Sequence, residues 1–258
     1  MQNFPIQDLL NTLSAPGLDT ASIILLIALS AITSAITATF GLGGGSLLIA
    51  VMSLLLPAAI VVPVHGAVQL GSNGGRAILR RAHIQWQFAG WFILGSALGA
   101  LAGGRVATLL PDSWFKGAIA IFLLYSVWAP KPKINGRGPI STTITGIYTA
   151  AVGMIVGISG PLVLSFLRNL KDRRQIVGTH ALLMTSQNLF KFLAFTLFGF
   201  AFWNYAFLIL AMVLSGFLGT YAGGLLLDRV PENIFRIAFR LILTLVALDL
   251  ARRAYFGL

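Results

Sequence analysis

Long apolar stretches, interrupted by glycine-rich breaks and short basic clusters, lay out the plan of this chain. Ile23–Phe40, Phe88–Val106, Gly117–Ala129 and Tyr205–Leu227 each carry at most one charged side chain. Runs approaching about 20 apolar residues are what a helix needs to cross bilayer hydrocarbon. The pattern predicts helices at 21–40, 45–56, 62–80, 87–108 and 112–129, then at 140–156, 161–167, 175–198, 203–228 and 232–251. Between the two sets lies the basic segment KPKINGRG, residues 131–138.

The two sets read as copies of one design. FGLGGGSLL (Phe40–Leu48) and VGISGPLVL (Val156–Leu164) both place a glycine break after a long apolar helix. HGAVQLGSNGGR (His65–Arg76) and HALLMTSQNLFK (His180–Lys191) repeat a histidine, an asparagine and a cation at matching offsets. Gly103-Gly104 and Gly223-Gly224 precede Pro111 and Pro231 by the same distance, and Phe115-Lys116 matches Phe235-Arg236. So many matches in the same order indicate an internal duplication. The expected domains are a first transmembrane repeat (21–129), a basic cytoplasmic linker (130–139) and a second transmembrane repeat (140–251).

Composition agrees. Hydrophobic residues make up 57% of the 258, charged residues 10%, and mean hydropathy is +0.88; a soluble domain carries about a quarter charged residues. The net charge of +11 comes from clusters between apolar runs: Arg80/Arg81, Lys131/Lys133/Arg137, Arg168/Lys171/Arg173/Arg174 and Arg252/Arg253. This is the pattern of cytoplasmic loops, not an interleaved basic and aromatic nucleic-acid surface, so no nucleic acid is expected as a partner. The chain has no cysteine, which excludes disulfides and thiolate metal sites; neither metal nor cofactor is expected. The first twenty residues hold Asp8 and Asp19 but no Lys or Arg, so no cleaved signal peptide is expected. Placing the loops near 81, 131–138 and 168–174 inside a bacterial inner membrane puts both termini in the periplasm. Three net crossings per half then invert the second half relative to the first, a recurring plan of secondary transporters.

The candidate site follows from the breaks. Pro161–Leu167 spans roughly 10 Å, too short to cross, so 140–167 reads as a re-entrant hairpin with its tip near the midplane. The match suggests that 21–56 dips in from the other face, although its helices are long enough to cross. Both short helices start at the tip, where free N–H groups and the positive end of the dipole favour an anion. Gly41, Gly43, Gly44, Gly45, Ser46, Gly157, Ser159, Gly160 and Pro161 would supply the close backbone approach. Close helix packing is the alternative role for such glycines, and it is the expected one for the Gly99/Gly103 and Gly219/Gly223 spacings. Asn73 and Asn188, preceded by Ser72 and Gln187, fall near the centres of their spans, where polar groups are costly unless they have partners. Interhelical hydrogen bonding is their alternative. His65 and His180 are candidates for coupling to a proton, or for bonding a backbone carbonyl near a helix end. Arg76 and Lys191 could draw an anion inward, or snorkel to the interface.

At these residues the sequence resembles the TauE/SafE sulfite-exporter family. The resemblance rests on the glycine motifs Gly41–Gly45 and Gly157–Pro161 and on residues 178–203, GTHALLMTSQNLFKFLAFTLFGFAFW, and covers roughly residues 25–250. The second motif, GISGP, departs from the family's usual triple glycine, so the two tips are expected to differ in role. The resemblance implies transport of sulfite, a sulfonate such as sulfoacetate, or a related anion. The expectation is an all-α polytopic membrane protein of two inverted repeats, each with a glycine-broken helix pair and three further spans. Its expected partners are a small anionic substrate, the lipid bilayer and a second copy of the chain in a homodimer. An anion channel, an intramembrane enzyme and a non-transporting scaffold are the competing classes. Against an enzyme, the chain has no HExxH, no GxSxG and no paired membrane carboxylates, and Asp249 lies near a helix end.

Overall fold

In a computed structural model, residues 15–40, 43–130, 138–167, 169–170, 172–226 and 232–257 are described. Ten α-helices account for nearly all of them: α1 (Thr20–Phe40), α2 (Gly44–Leu55), α3 (Ala58–Leu79), α4 (Trp86–Ala107), α5 (Asp112–Trp128), α6 (Pro139–Val156), α7 (Gly160–Leu167), α8 (Arg173–Leu197), α9 (Ala206–Leu226) and α10 (Glu232–Phe256). Single 3₁₀ turns at Arg81–His83 and Phe202–Tyr205 lead into α4 and α9.

The main departures from the predicted boundaries have local causes. The third helix starts at Ala58 rather than 62, because Asp112 at the head of α5 accepts the Ala58 N–H (2.7 Å) and caps it from a distant part of the chain. Pro63 thus sits inside α3, where its ring removes one backbone donor. The last helix runs on to Phe256, five residues past its predicted end; Asp249 there holds both Arg252 and Arg253 (2.7 Å each). The ninth begins at Ala206 after the 3₁₀ turn rather than at 203. Elsewhere the ends follow familiar signals. Pro139 opens α6 behind Gly138, and the Asp172 carboxylate accepts the Arg174 N–H at the start of α8.

By length and composition, four segments among the described residues could cross a membrane: Thr20–Thr39, Ala89–Ala107, Pro139–Val156 and Phe202–Ala222. The apolar run 117–129 belongs to α5, a helix of 17 residues. Surface and interior are arranged for lipid. Ile78, Leu79, Leu109, Ile121, Leu197, Leu218 and Leu245 are exposed, while Ser30, Thr33, Ser34, Ser96, Thr149 and Thr179 are buried. All five tryptophans are exposed, mostly near helix ends, as at a membrane–water boundary. Arg240 lies on this surface, its guanidinium 5.8 Å from the Trp128 ring centroid.

The helices interleave across the chain. α4 packs along α6, α1 along α9, α3 along α8 and α5 along α10, so the main partner of each long helix comes from the other set. Glycines set the closeness of two of these contacts. A methyl group at Gly95, Gly99 or Gly103 of α4 would strike the α6 backbone at Thr143, Ile147 or Ala151, and one at Gly219 of α9 would strike Ala31 of α1. These four glycines serve packing, as expected for Gly99, Gly103 and Gly219; Gly223 is not among the glycines described.

Candidate functional site

Each short helix starts at a glycine break. Gly43 precedes α2 at φ 102°, and Gly157 ends α6 at φ 78°; both are left-handed conformations that favour glycine. The starts of α2 and α7 bound a cavity of about 80 Å³, room for roughly five water-sized groups. Gly43, Gly45 and Ser46 line it from one tip and Gly157, Gly160 and Pro161 from the other. The first N–H groups of a helix have no acceptor within it, so both tips present donors and positive dipole ends. Gly41 lies outside the described residues.

α3 and α8 supply the walls through one spacing used twice. His65, Gln69, Asn73 and Arg76 line the cavity from α3, and His180, Met184 and Asn188 from α8. Each histidine is pinned to a tip: His65 Nε2 donates to the Gly45 carbonyl (3.0 Å), and His180 Nε2 to that of Gly160 (3.2 Å). Both bonds reach back twenty residues. The histidines thus make the backbone bond named as one of their two candidate roles.

Polar satisfaction is uneven. The Asn73 amide donates to the Gln69 carbonyl and side chain (2.8 and 3.2 Å) and accepts from Arg76 Nη2 (2.8 Å). Arg76 is 8% exposed and Asn188 2%, yet Arg76 Nη1 and Asn188 Nδ2 have no hydrogen-bond partner. No carboxylate offsets the guanidinium among the described residues, whose ion pairs join Lys116 to Asp112 and Arg252 and Arg253 to Asp249. A buried ion without a counter-charge costs several kcal/mol. A small oxyanion would accept from both free donors and supply the missing charge.

Other sequence candidates lie off the cavity. Ser159 Oγ donates to Gln187 Oε1 (2.6 Å), while Gln187 Nε2 donates to Thr149 (2.7 Å) and Ser96 (3.3 Å); this closed network ties the α6–α7 break to α4 and α8. Ser72 meets Ser34 (3.5 Å), and a methyl at Gly44 would strike Thr33. Lys191 donates to the Gly157 carbonyl (2.7 Å) rather than lining the cavity, as Arg76 does.

Thr37, Ser126, Ile158, Leu164 and Phe239 also line the cavity, as do Gln69 and Met184, and sequence reasoning passed over all seven. Gln69 and Met184 were within reach of it, each being four residues after a singled-out histidine and so on the same helix face. Ser126 and Phe239 arrive from α5 and α10, which no local pattern announces. A second cavity, of about 360 Å³, gathers Phe115, Phe195, Phe198, Phe200 and Val62. Val62 packs near Gly157 of the first cavity, where a methyl would strike Ile49 and lie 3.1 Å from Val62.

Comparison with curated proteins and with solved structures returned no match. A family model, Sulfite exporter TauE/SafE, matches residues 26–250, the helical body and both tips. The chain belongs to the TauE/SafE sulfite exporter family, whose members are membrane transporters and not enzymes.

Proposed function

We propose that the protein is a secondary transporter that exports a small sulfur oxyanion, such as sulfite or a short organosulfonate, by alternating access around the cavity between the two tips. The observation that carries this reading is the buried Arg76 guanidinium, with one nitrogen held by Asn73 and the other unpaired, in a cavity also lined by Asn188, whose amide nitrogen is unpaired too. Two helix N-termini add converging dipoles. In this reading Arg76, Asn73, Asn188 and the amides of Gly45, Ser46 and Gly160 hold the anion. His65 and His180 hold the tips in place, and Ser72, Ser159 and Gln187 support the walls.

The matched motifs and the reciprocal packing of α1 with α9 and α4 with α6 support two related halves; with the basic clusters near 81, 131–138 and 168–174 placed inside an inner membrane, the halves are inverted and both termini are periplasmic. A cavity at the junction of such halves suits a carrier. Ile49 and Val62 pack against Gly157, and Val62 lines the second cavity; in this reading they are the barrier that alternating access would open. With the cell interior negative, outward movement of one anionic charge is favoured by about 2.3 kcal/mol per 100 mV, so export needs no nucleotide.

The test is calorimetric titration of the purified protein with sulfite, sulfate, thiosulfate, sulfoacetate and taurine, repeated on Arg76→Gln. Saturable binding of a sulfur oxyanion that weakens in the variant is expected. Equal binding by the two proteins, both folded, would overturn the reading.

A further inference from the structure

Lys191 is the second buried cation of the core, 4% exposed, and the anion site does not use it. Its stem crosses α3 at Gly66, where an added methyl would lie 2.6 Å from the lysine Cδ; only a residue without a side chain lets it pass. The ammonium then donates to the Gly157 carbonyl at 2.7 Å. That carbonyl belongs to the left-handed residue closing α6, so it lies at the C-terminal end of a helix broken inside the core. The last carbonyls of such a helix lack intrahelical donors and carry the negative end of its dipole. Across the same interface α3 presents His65 and, further along, Arg76. Among the described residues no carboxylate forms an ion pair with Lys191.

Unwound carbonyls at broken-helix C-termini are where secondary transporters hold a coupling Na⁺. Here a side chain already places a monovalent positive charge against one. We propose that the Lys191 ammonium is the resident cation of the α6 end, occupying the position of a coupling Na⁺ or K⁺, so that anion flux draws on no alkali-cation gradient. Arg76, its counterpart in the first set, is the substrate's cation. The two tips therefore divide roles that their matching motifs would assign to both. This inference takes sulfite as the transported probe from the preceding reading, but its central observation is independent of the anion site.

The full-length protein in liposomes is loaded with sulfite, and flux is compared with Na⁺, K⁺ or N-methylglucamine on either side. Wild-type flux should be the same in all three; a requirement for Na⁺ or K⁺ overturns the proposal without any variant. Lys191→Ala should lose at least about tenfold in flux, the scale of one hydrogen bond to a charged group, and methylammonium should restore part of it. Wild-type flux in Lys191→Met would overturn the proposal, as would a monodisperse Lys191→Ala protein that methylammonium fails to rescue. An anion-free arm separates the two readings. Methylammonium should raise the melting temperature of Lys191→Ala but not of wild type, whether or not sulfite binds. Absence of sulfite binding to wild type counts against the anion site alone, and absence of the melting shift against Lys191 alone.

Discussion

Arg76 Nη2 donates to Asn73 Oδ1 at 2.8 Å, one turn back on α3, and this bond aims the rest of the guanidinium into the cavity. Asn73 is held in turn by Gln69, so the cation is oriented by a chain of bonds within one helix. Orientation of this kind favours a ligand over a wandering surface charge, since the side-chain entropy is already lost before binding.

Removing the charge while keeping a polar side chain tests this arrangement. Arg76→Gln should weaken sulfite binding by about 1.5–3 kcal/mol, roughly ten- to hundredfold, the range for hydrogen bonds to charged groups. Arg76→Lys should fall between, because an ammonium cannot hold Asn73 and the ligand through a planar fork. Isothermal titration gives both values.

Asn188 separates a binding role from a structural one. Its Nδ2 is buried without a partner, and replacing an unsatisfied buried donor by an apolar group of similar size is neutral or stabilising. Asn188→Leu should therefore melt no lower than wild type in detergent while binding sulfite more weakly, by about 1 kcal/mol. A lower melting point with unchanged binding would make Asn188 a packing residue.

Gln187 should behave in the opposite way. Its amide bridges Ser159, Thr149 and Ser96, so Gln187→Leu strands buried hydroxyls at the α6–α7 break, at about 1–3 kcal/mol of stability. The folded fraction should still bind the anion. Thermal melting read beside titration distinguishes this from a ligand contact.

Gly99 and Gly90 lie on the same helix but meet different surroundings. A side chain at Gly99 strikes the Ile147 backbone, while nothing stands within 4 Å of one at Gly90. Gly99→Val should prevent close approach of α4 and α6 and reduce yield of monodisperse protein; Gly90→Ala should have little effect. Size-exclusion profiles of the two variants provide the comparison.

Topology can be read directly because the chain has no cysteine. Under the proposed orientation, an impermeant maleimide should label Asn204→Cys in intact cells and Ala82→Cys only after permeabilisation. The reverse pattern would invert the assignment of the two faces.

The sequence by itself determined that this is a helical membrane protein, where its main breaks fall, and which stripe of α3 and of α8 carries polar chemistry. Those are local properties: apolar run length, the left-handed conformations open to Gly43 and Gly157, and spacings of 8 and 11 residues after each histidine. It placed the start of α3 too late, because the capping carboxylate of Asp112 comes from 54 residues away. Tertiary structure alone decided which polar groups were already satisfied. Gln187 and Asn188 are adjacent and equally plausible in sequence, yet one closes a network with α4 and α6 and the other faces the cavity with a free donor. Arg76 and Lys191 occupy matching positions, yet Gly66 opens a path for Lys191 toward the Gly157 carbonyl, while Asn73 holds Arg76 toward the cavity. In a water-free interior the outcome for each polar side chain depends on which partners its neighbours across the helix interface supply, and a linear pattern does not encode that.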